Sequence, residues 1–258
     1  MNRALLRQIV VATATIVTIG FNILANALPL NGLDTGEISD RFDIFFVPAG
    51  YVFAIWFIIY VGLITYTVYQ ARASQRENPR LKKIAPWYLL AAAANIVWLF
   101  LWHYEYFSYT LIAMATLLIS LIVIYLQLDV GGAEVPRAER WSVHVPFSIY
   151  LGWITVATIA NTTQLLFFLG WDGFGLAPEA WAAIMLGAGV VISALMSLTR
   201  ADIAYSLVLV WAYIGIAVKF PDVSTVSLAA WISVVLILVI LAAGYLRRSK
   251  AEKTLSPA

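Results

Sequence analysis

Apolar residues fill eight long segments of this chain, and short polar stretches separate them. The segments cover residues 6–28, 48–70, 85–103, 107–128, 145–169, 179–198, 203–219 and 226–247. A helix needs about 20 mostly apolar residues to cross a bilayer, and the segments are near that length. The pattern therefore predicts an all-α, polytopic transmembrane helix bundle with eight spans. An even number of spans places both termini on one side, and the short turns at 104–106 and 199–202 predict antiparallel hairpins.

The second segment differs from a helix that only faces lipid, because its aromatic residues are ordered. At 100° per residue one stripe holds Phe53, Trp56 and Tyr60, and the roughly opposite stripe holds Tyr51, Gly62, Tyr66 and Tyr69. Leu, Ile and Val suffice where a helix meets only acyl chains. We interpret the Phe53 stripe as one wall of a cavity for a flat hydrophobic ligand, with Gly62 allowing close helix packing on the other side.

Two further segments combine indoles with amides at helical spacing. The third span places Asn95, Trp98 and Trp102 on one face, and the fifth carries the stripe Tyr150, Trp153, Ala157, Asn161, Gln164 and Phe168. Given the direction of each span, all three aromatic faces meet in the outer half of the bundle. The alternatives are that the amides only bond neighbouring helices, and that the indoles form interfacial belts or pack in the core.

The connection between the first two spans, residues 29–47, combines turn-forming residues with an apolar side. It is predicted to be a lid over the cavity, or else an ordinary interfacial segment. His103 lies near the mouth beneath it. This residue is a candidate axial ligand to a porphyrin iron, the alternative being a solvated loop residue.

Composition supports a membrane protein, with 62% hydrophobic and 12% charged residues against about 25% charged in average soluble domains. The expected surroundings are the lipid bilayer, and no nucleic-acid partner is expected. The chain has no cysteine and only two histidines, which argues against a metal site. No covalent cofactor is expected, but a bound porphyrin or haem is compatible with the aromatic faces.

The basic residues predict the orientation of the bundle. With the termini inside, every lysine and arginine except Arg41 and Lys219 lies on the inner side. The positive-inside rule then predicts cytoplasmic termini, which we place in a bacterial cell (inner) membrane. The predicted spans contain no ionisable residue in their interiors, which argues against a proton pump or an ion-coupled transporter.

Three motifs resemble those of the TspO/MBR family, the tryptophan-rich sensory proteins related to the mitochondrial benzodiazepine receptor. They are P-x-x-[WY]-x-F-x-x-W-x-x-x-Y-x-G from Pro48 to Gly62, N-x-x-W at Asn95 and Trp98, and W-x-x-x-A-T-x-x-N from Trp153 to Asn161. Tyr51 stands where the family usually has tryptophan. The resemblance covers about residues 6–171.

The resemblance implies a five-helix unit that binds porphyrins, haem or, in some members, sterols beneath the first loop. The predicted division is a TspO-like unit at 1–171, a three-helix extension at 172–247 and a polar C-terminal tail at 248–258. Small residues in the extension, including Gly187, Gly189 and Ser193, suggest close packing, and a homodimer or a membrane-protein partner is expected to use this part.

The predicted function is an integral membrane binding protein, a sensor or a transporter for a planar hydrophobic ligand. That ligand is expected to be a tetrapyrrole, either porphyrin or haem, or a sterol-like molecule. The alternatives are a porphyrin-degrading membrane enzyme and a structural or assembly subunit of a larger membrane complex. The predicted ligand-binding residues are Tyr51, Phe53, Trp56, Tyr60, Asn95, Trp98, Trp102, Trp153, Ala157, Asn161 and Gln164, and no catalytic residue is predicted.

Overall fold

The computed structural model describes residues 2–28 and 30–255, and every regular element in these ranges is helical. The α-helices are α1 (Arg3–Ala27), α2 (Thr35–Asp40), α3 (Ile55–Ala71), α4 (Pro79–His103), α5 (Phe107–Leu128), α6 (Arg137–Glu139), α7 (Val145–Phe168), α8 (Pro178–Arg200), α9 (Ile203–Lys219) and α10 (Ser224–Leu255). A 3-10 turn, Gly50–Ala54, leads into α3, and a π turn, Arg140–His144, joins α6 to α7.

The predicted all-α membrane bundle is confirmed. Within the described residues, seven helices are long and apolar enough to cross a membrane, and the shorter apolar α9 matches the remaining predicted segment. Large side chains point outward from these helices, such as Ile16 at 70% exposure, Phe57 at 72% and Val191 at 69%. An apolar outer surface of this kind contacts the lipid bilayer, because exposing so much apolar area to water is unfavourable.

Two helices run further than the apolar pattern predicts. The fifth span begins at Arg137 instead of residue 145, because α6, the π turn and α7 are continuous. At the C-terminus α10 extends to Leu255, into the predicted polar tail 248–258, whose residues 256–258 lie outside the described residues. Lysine, arginine, glutamate and alanine are good helix formers, so both helices continue beyond the hydrocarbon layer.

Local capping explains where several helices begin. Asp34 caps α2 through a capping box with Glu37, and the Oδ1 of Asn78 accepts a hydrogen bond from the Arg80 backbone N–H at the start of α4. The carboxylate of Asp202 caps α9 by accepting a bond from the Tyr205 N–H at 3.0 Å. These polar side chains satisfy backbone groups that the first helical turn leaves without partners.

The helix α7 occupies the centre of the bundle and packs against α3, α5 and α9. On the far side of α9 lie α8 and α10, so the last three helices join the first five through α9. One hydrophobic core includes residues from both parts. The division at residue 171 stays a prediction, but the extension is packed against the rest of the bundle.

The two ends of the bundle carry opposite charge, and we name them accordingly. The basic end holds Arg72, Arg76, Arg137, Arg140 and Arg200, and the acidic end holds Asp34, Glu37, Asp40 and Glu105. At the basic end Glu139 is 2% exposed and accepts bonds from the Nε and Nη2 of Arg80 at 2.6 and 2.9 Å. The lengthened fifth span therefore does contain an ionisable residue, but a guanidinium neutralises it.

The small residues of the extension make contacts within the chain. Gly189 on α8 lies directly against the buried Tyr213 hydroxyl of α9, and Gly244 on α10 lies against the backbone of Ser197. The hydroxyls of Ser197 and Ser206 are 3.0 Å apart. Close packing by small residues thus holds α8, α9 and α10 together, and a homodimer through this part stays a prediction.

Two glycines on α8 provide a matched test of this packing. In Gly189→Ala the new methyl group meets the Tyr213 hydroxyl, which donates to the Leu186 carbonyl at 3.1 Å and lies in a tightly packed core. We expect destabilisation of about 1–3 kcal/mol, seen as a lower midpoint of thermal unfolding in detergent. Gly187→Ala, which has nothing within 4 Å of the new methyl, should leave the midpoint unchanged or raise it. Equal effects would contradict the assigned packing.

Candidate ligand-binding site

A small enclosed cavity lies near the acidic end, between α3, α4, α5 and α7 and beneath α2. Its volume is about 50 Å³. The cavity is lined by Thr35, Ser39, Val47, Pro48, Phe53, Trp56, Asn95, Trp98, Trp102, Met114, Leu117, Trp153, Ile154, Val156, Ala157, Ala160, Asn161 and Gln164. None of these side chains titrates near neutral pH, so the site offers aromatic, amide and hydroxyl groups.

Four indoles line the cavity, those of Trp56, Trp98, Trp102 and Trp153. The rings of Trp98 and Trp102 stack with centroids 5.4 Å apart and an angle of 19° between their planes. On the opposite side Trp56 meets Trp153 edge to face at 6.3 Å, and Phe53 meets Trp153 in the same way at 5.7 Å. The ring of Trp56 also stacks on Tyr60 at 5.7 Å. Such rings present flat, polarizable faces toward whatever lies between them.

The amide side chains are held in place by hydrogen bonds between helices. Asn22 on α1 donates to the Oδ1 of Asn95 at 2.7 Å, and Asn95 donates to the Tyr150 hydroxyl at 3.3 Å. Separately, Asn161 donates to the Thr110 hydroxyl at 2.9 Å and accepts a longer bond of 3.4 Å from the indole N–H of Trp98. These bonds fix the orientation of the amides at the cavity wall.

The helix α2 closes the cavity from the acidic end. The indole N–H of Trp102 donates to the Thr35 carbonyl at 3.2 Å, and Gln164 donates to the Ser39 hydroxyl at 3.1 Å. Ile38 and Phe46 are fully buried beneath the segment, and Phe42 packs edge-on against Phe107 at 5.0 Å. The connection predicted as a lid thus contains a capped helix seated on the cavity.

Two ion pairs attach this lid to other parts of the bundle. Arg41 pairs with Glu105 in the turn between α4 and α5. Asp40 accepts a bond from the Nζ of Lys219 at 2.5 Å, which connects the lid to the last turn of α9. Both pairs are partly exposed, and each contributes roughly 0–1 kcal/mol. The lid is therefore seated mainly by its buried apolar residues and is only weakly restrained at its edges.

A wider cleft of about 700 Å³ lies beside the enclosed cavity, between α1 and α3. It shares Thr35, Phe53, Trp56 and Trp98 with the cavity, so these side chains separate the two spaces. Tyr60 and Asn22 line the cleft deeper in the bundle. The Phe53, Trp56 and Tyr60 side chains are half-buried and face this cleft, as the periodicity of the segment predicts.

The structure brings together all the predicted ligand-binding residues at the cavity or the cleft except Tyr51, and the candidate iron ligand His103 also lies outside both. Tyr51 is 46% exposed and packs edge-on against Trp211 of α9 at 5.3 Å, on the other side of α3. It lines neither space. Tyr51, which stands where the TspO/MBR family usually has tryptophan, therefore faces the three-helix extension.

His103 is buried at 1% exposure instead of being solvated at the mouth. Its Nδ1 lies 2.8 Å from the Leu99 carbonyl, and its Nε2 has no hydrogen-bond partner among the described residues. His103 lines neither the cavity nor the cleft, and ligation of a porphyrin iron by its ring stays a prediction. Within the described residues, no group of three or more metal-ligating side chains is present.

Sequence reasoning missed Asn22, Thr35 and Ser39 as members of the site. Asn22 is an amide in the middle of an apolar span, the same signal that singled out Asn95 and Asn161. Thr35 and Ser39 are four residues apart and therefore share one face of α2. No sequence signal distinguishes them from ordinary loop residues, because their role depends on where the lid docks.

The fold and the cavity define a class, a polytopic helical membrane protein with an aromatic site under a loop helix. A sequence model of the family described as TSPO-like protein matches residues 8–243, and the chain belongs to this family. The matched region extends past residue 171 into α10, so it includes most of the extension as well as the first five helices. No curated protein and no solved structure matches the chain.

The amide pair at the cleft is testable by a double-mutant cycle. Asn22→Ala and Asn95→Ala each remove one side of a 2.7 Å bond between α1 and α4, so their effects on unfolding should not add. We expect a coupling energy of about 0.6–2 kcal/mol, measured by reversible denaturation in micelles. A control cycle of Asn22→Ala with Asn161→Ala, which do not bond to each other, should give additive effects. Additivity in both cycles would contradict the assigned bond.

Proposed function

We propose that the protein binds a planar hydrophobic molecule, a tetrapyrrole or a sterol-like ligand, and acts as a membrane sensor or transporter. The observation that carries the proposal is the convergence of Trp56, Trp98, Trp102 and Trp153 on one cavity under a lid. Membership in the TSPO-like family supports the same class of ligand. Binding would come from ring stacking and buried apolar area, with Asn95, Asn161 and Gln164 orienting polar edges.

The size of the cavity determines how binding would proceed. Sites for small organic ligands usually measure about 300–1,000 Å³, and 50 Å³ holds little more than a water molecule. The adjoining cleft of about 700 Å³ is in the right range. We infer that a ligand enters beneath the lid, lies against the Phe53–Trp56–Tyr60 face and separates the rings that divide cleft from cavity.

The attachment of the lid suggests how binding would be sensed. The Asp40–Lys219 pair connects the lid to α9, and α9 packs against α7, α8 and α10. A ligand that displaced the lid would move Asp40 and would thereby disturb the ion-paired end of α9. Such a connection gives the three-helix extension a part in signalling, as a segment whose packing reports the state of the lid.

We also propose the orientation predicted from charge, with both termini cytoplasmic in a bacterial inner membrane. The basic end carries Arg200 at the C-terminus of α8, Arg137 and Arg140 around α6, and Arg72 and Arg76 in the α3–α4 connection. The positive-inside rule places this end in the cytoplasm. The lid and the cleft then open toward the opposite side of the membrane.

Titration with protoporphyrin, followed by the absorbance of the porphyrin, tests the ligand class. We expect wild-type protein to shift the porphyrin absorbance on binding, and Trp56→Ala to raise the Kd about tenfold or more. The reason is the loss of stacking worth about 0.5–1.5 kcal/mol, together with buried apolar area. Trp56 is half-buried, so the substitution spares the core of the bundle.

The matched control for this titration is Trp231→Ala, which removes an indole from α10 that is 44% exposed and far from the cleft in the chain. It should bind like the wild type. Equal Kd values for the wild type and Trp56→Ala would place the ligand elsewhere. Absence of any saturable binding, with a sterol as well as with a porphyrin, would overturn the proposed ligand class.

The role of the lid is testable because the chain has no cysteine. In Asp40→Cys combined with Lys219→Cys, a short bifunctional thiol reagent joins the lid to α9. Asp40 lines the cleft but not the smaller cavity, so the Asp40→Cys single variant measures the effect of the substitution itself. We expect porphyrin association to slow at least tenfold once the bridge is formed, measured by stopped-flow absorbance. The single-cysteine variants treated with the same reagent are the control. An unchanged rate would show that the ligand enters without lid movement.

A further inference from the structure

A second, larger cavity lies on the opposite face of α3 from the aromatic site. It is a groove of about 1,100 Å³ between α3, α7 and α9, open along its side, and it reaches the basic end. The two spaces share no lining residue, since Phe53 and Trp56 face the cleft whereas Ala54, Phe57 and Ile58 line the groove. The groove is thus independent of the site proposed above.

The groove is closed toward the acidic end and apolar along its length. There α3 and α9 meet through the 3-10 turn, where the Trp211 indole donates to the Val52 carbonyl at 3.1 Å. Gly215 lies against Val52 and Pro48, which leaves no room for a side chain. Between this contact and the basic end, the groove is lined by Phe57, Ile149 and Leu207. This part suits an acyl chain and offers no charged group.

The basic end of the groove has the opposite character, since Arg140, Arg200 and Arg248 line its mouth. Arg200 pairs with Asp129, and Arg248 donates to the carbonyl oxygens of Gly131 and Arg200. Arg140 forms no ion pair with any described residue. The mouth therefore presents three guanidinium groups, and the charge of Arg140 is not balanced by an ion pair within the described residues.

Two more groups define the polar part of the groove. Asp202 lines it, but its carboxylate already accepts bonds from the Tyr125 and Ser148 hydroxyls and from the Tyr205 N–H. His144 also lines it at 4% exposure, and its buried Nε2 has no partner among the described residues. The carboxylate of Asp202 is thus satisfied within the protein, and the His144 ring packs at the wall of the groove with its Nε2 buried.

We propose that this groove binds one anionic phospholipid from the leaflet at the basic end. The acyl chain lies along α3 and α9 between Trp211 and the basic end, and the phosphate contacts Arg140 at the mouth. Separation of an apolar groove from a cationic mouth along the membrane normal matches an anionic lipid in its ordinary orientation. Basic pockets between transmembrane helices recognise such headgroups, and guanidinium binds phosphate through paired N–H donors.

The site has a structural consequence, because the groove separates α3 of the first five helices from α9 of the extension. These two parts touch at the acidic end through the 3-10 turn, and a lipid would fill the space between them nearer the basic end. The proposed ligand would therefore complete the packing between the two parts of the chain. A second copy of the protein would need a matching ridge to fill the same space.

Native mass spectrometry of delipidated protein, mixed with equal amounts of phosphatidylglycerol and phosphatidylcholine, tests the proposal. We expect one retained lipid and at least a fivefold preference for phosphatidylglycerol. Arg140→Gln should lower that preference about fivefold, because one arginine near a headgroup contributes about that factor. Arg140 is exposed, so the variant should keep the fold.

A second variant tests the apolar part of the groove with the charges intact. Leu207→Trp fills the space along α9 and should lower retention of the lipid at least fivefold. Leu198→Trp is the matched control, since Leu198 is 48% exposed, close to the 47% of Leu207, and lies outside the groove. Excess inorganic phosphate should not displace the lipid, because phosphate lacks the acyl chain.

Several outcomes would overturn the proposal. Equal retention of the two lipids would show that the cationic mouth does not recognise the anionic headgroup. Unchanged retention in Leu207→Trp would show that lipid binds the basic surface and not the groove. Complete displacement by inorganic phosphate would identify a simple anion site, and a lipid-free dimer of the wild type would show that a second copy covers the groove.

Discussion

Each polar side chain buried on α7 must find a hydrogen-bond partner inside the protein, because the surrounding lipid supplies none. Tyr150 accepts from Asn95 on α4, Asn161 donates to Thr110 on α5, and Gln164 donates to Ser39 on the lid. Near the other end Ser148 donates to Asp202, the N-cap of α9. One helix thus sets the register of four elements, and the aromatic cavity, the seated lid and the docked extension all follow from it.

The helix α3 separates the two spaces that this arrangement leaves. Its Phe53–Trp56–Tyr60 face borders the cleft toward α1, and its Ala54, Phe57 and Ile58 positions border the groove toward α9. A helix surrounded by lipid alone would need apolar side chains but not the aromatic order of the first face. The helix α3 packs closely on α7 at Gly62, where a methyl group in place of the glycine hydrogen would lie 3.0 Å from the Cβ of Pro146.

Several differences between prediction and structure have a common cause in the way helices meet. The family-like motif suggested Tyr51 as a site residue, yet the 3-10 turn at Gly50–Ala54 directs it toward Trp211. His103 follows Trp102 by one position, so it points about 100° away from the stacked indoles and is buried outside the cavity. Glu139 belongs to the fifth span because the helix continues through a π turn. Arg80 of α4 neutralises its charge.

The sequence alone determined the number of spans, the helical class and the aromatic faces, because lipid permits few structures and helical periodicity assigns faces directly. The spacing of Phe53, Trp56 and Tyr60 was enough to predict that they share one face. Only the tertiary structure decided which faces meet, how small the enclosed cavity is and where the lid docks. Those properties depend on contacts between residues far apart in the chain, such as Ser39 with Gln164 and Asp40 with Lys219, which no local pattern specifies. The groove beside α9 arises in the same way, from a space between helices and not from any motif.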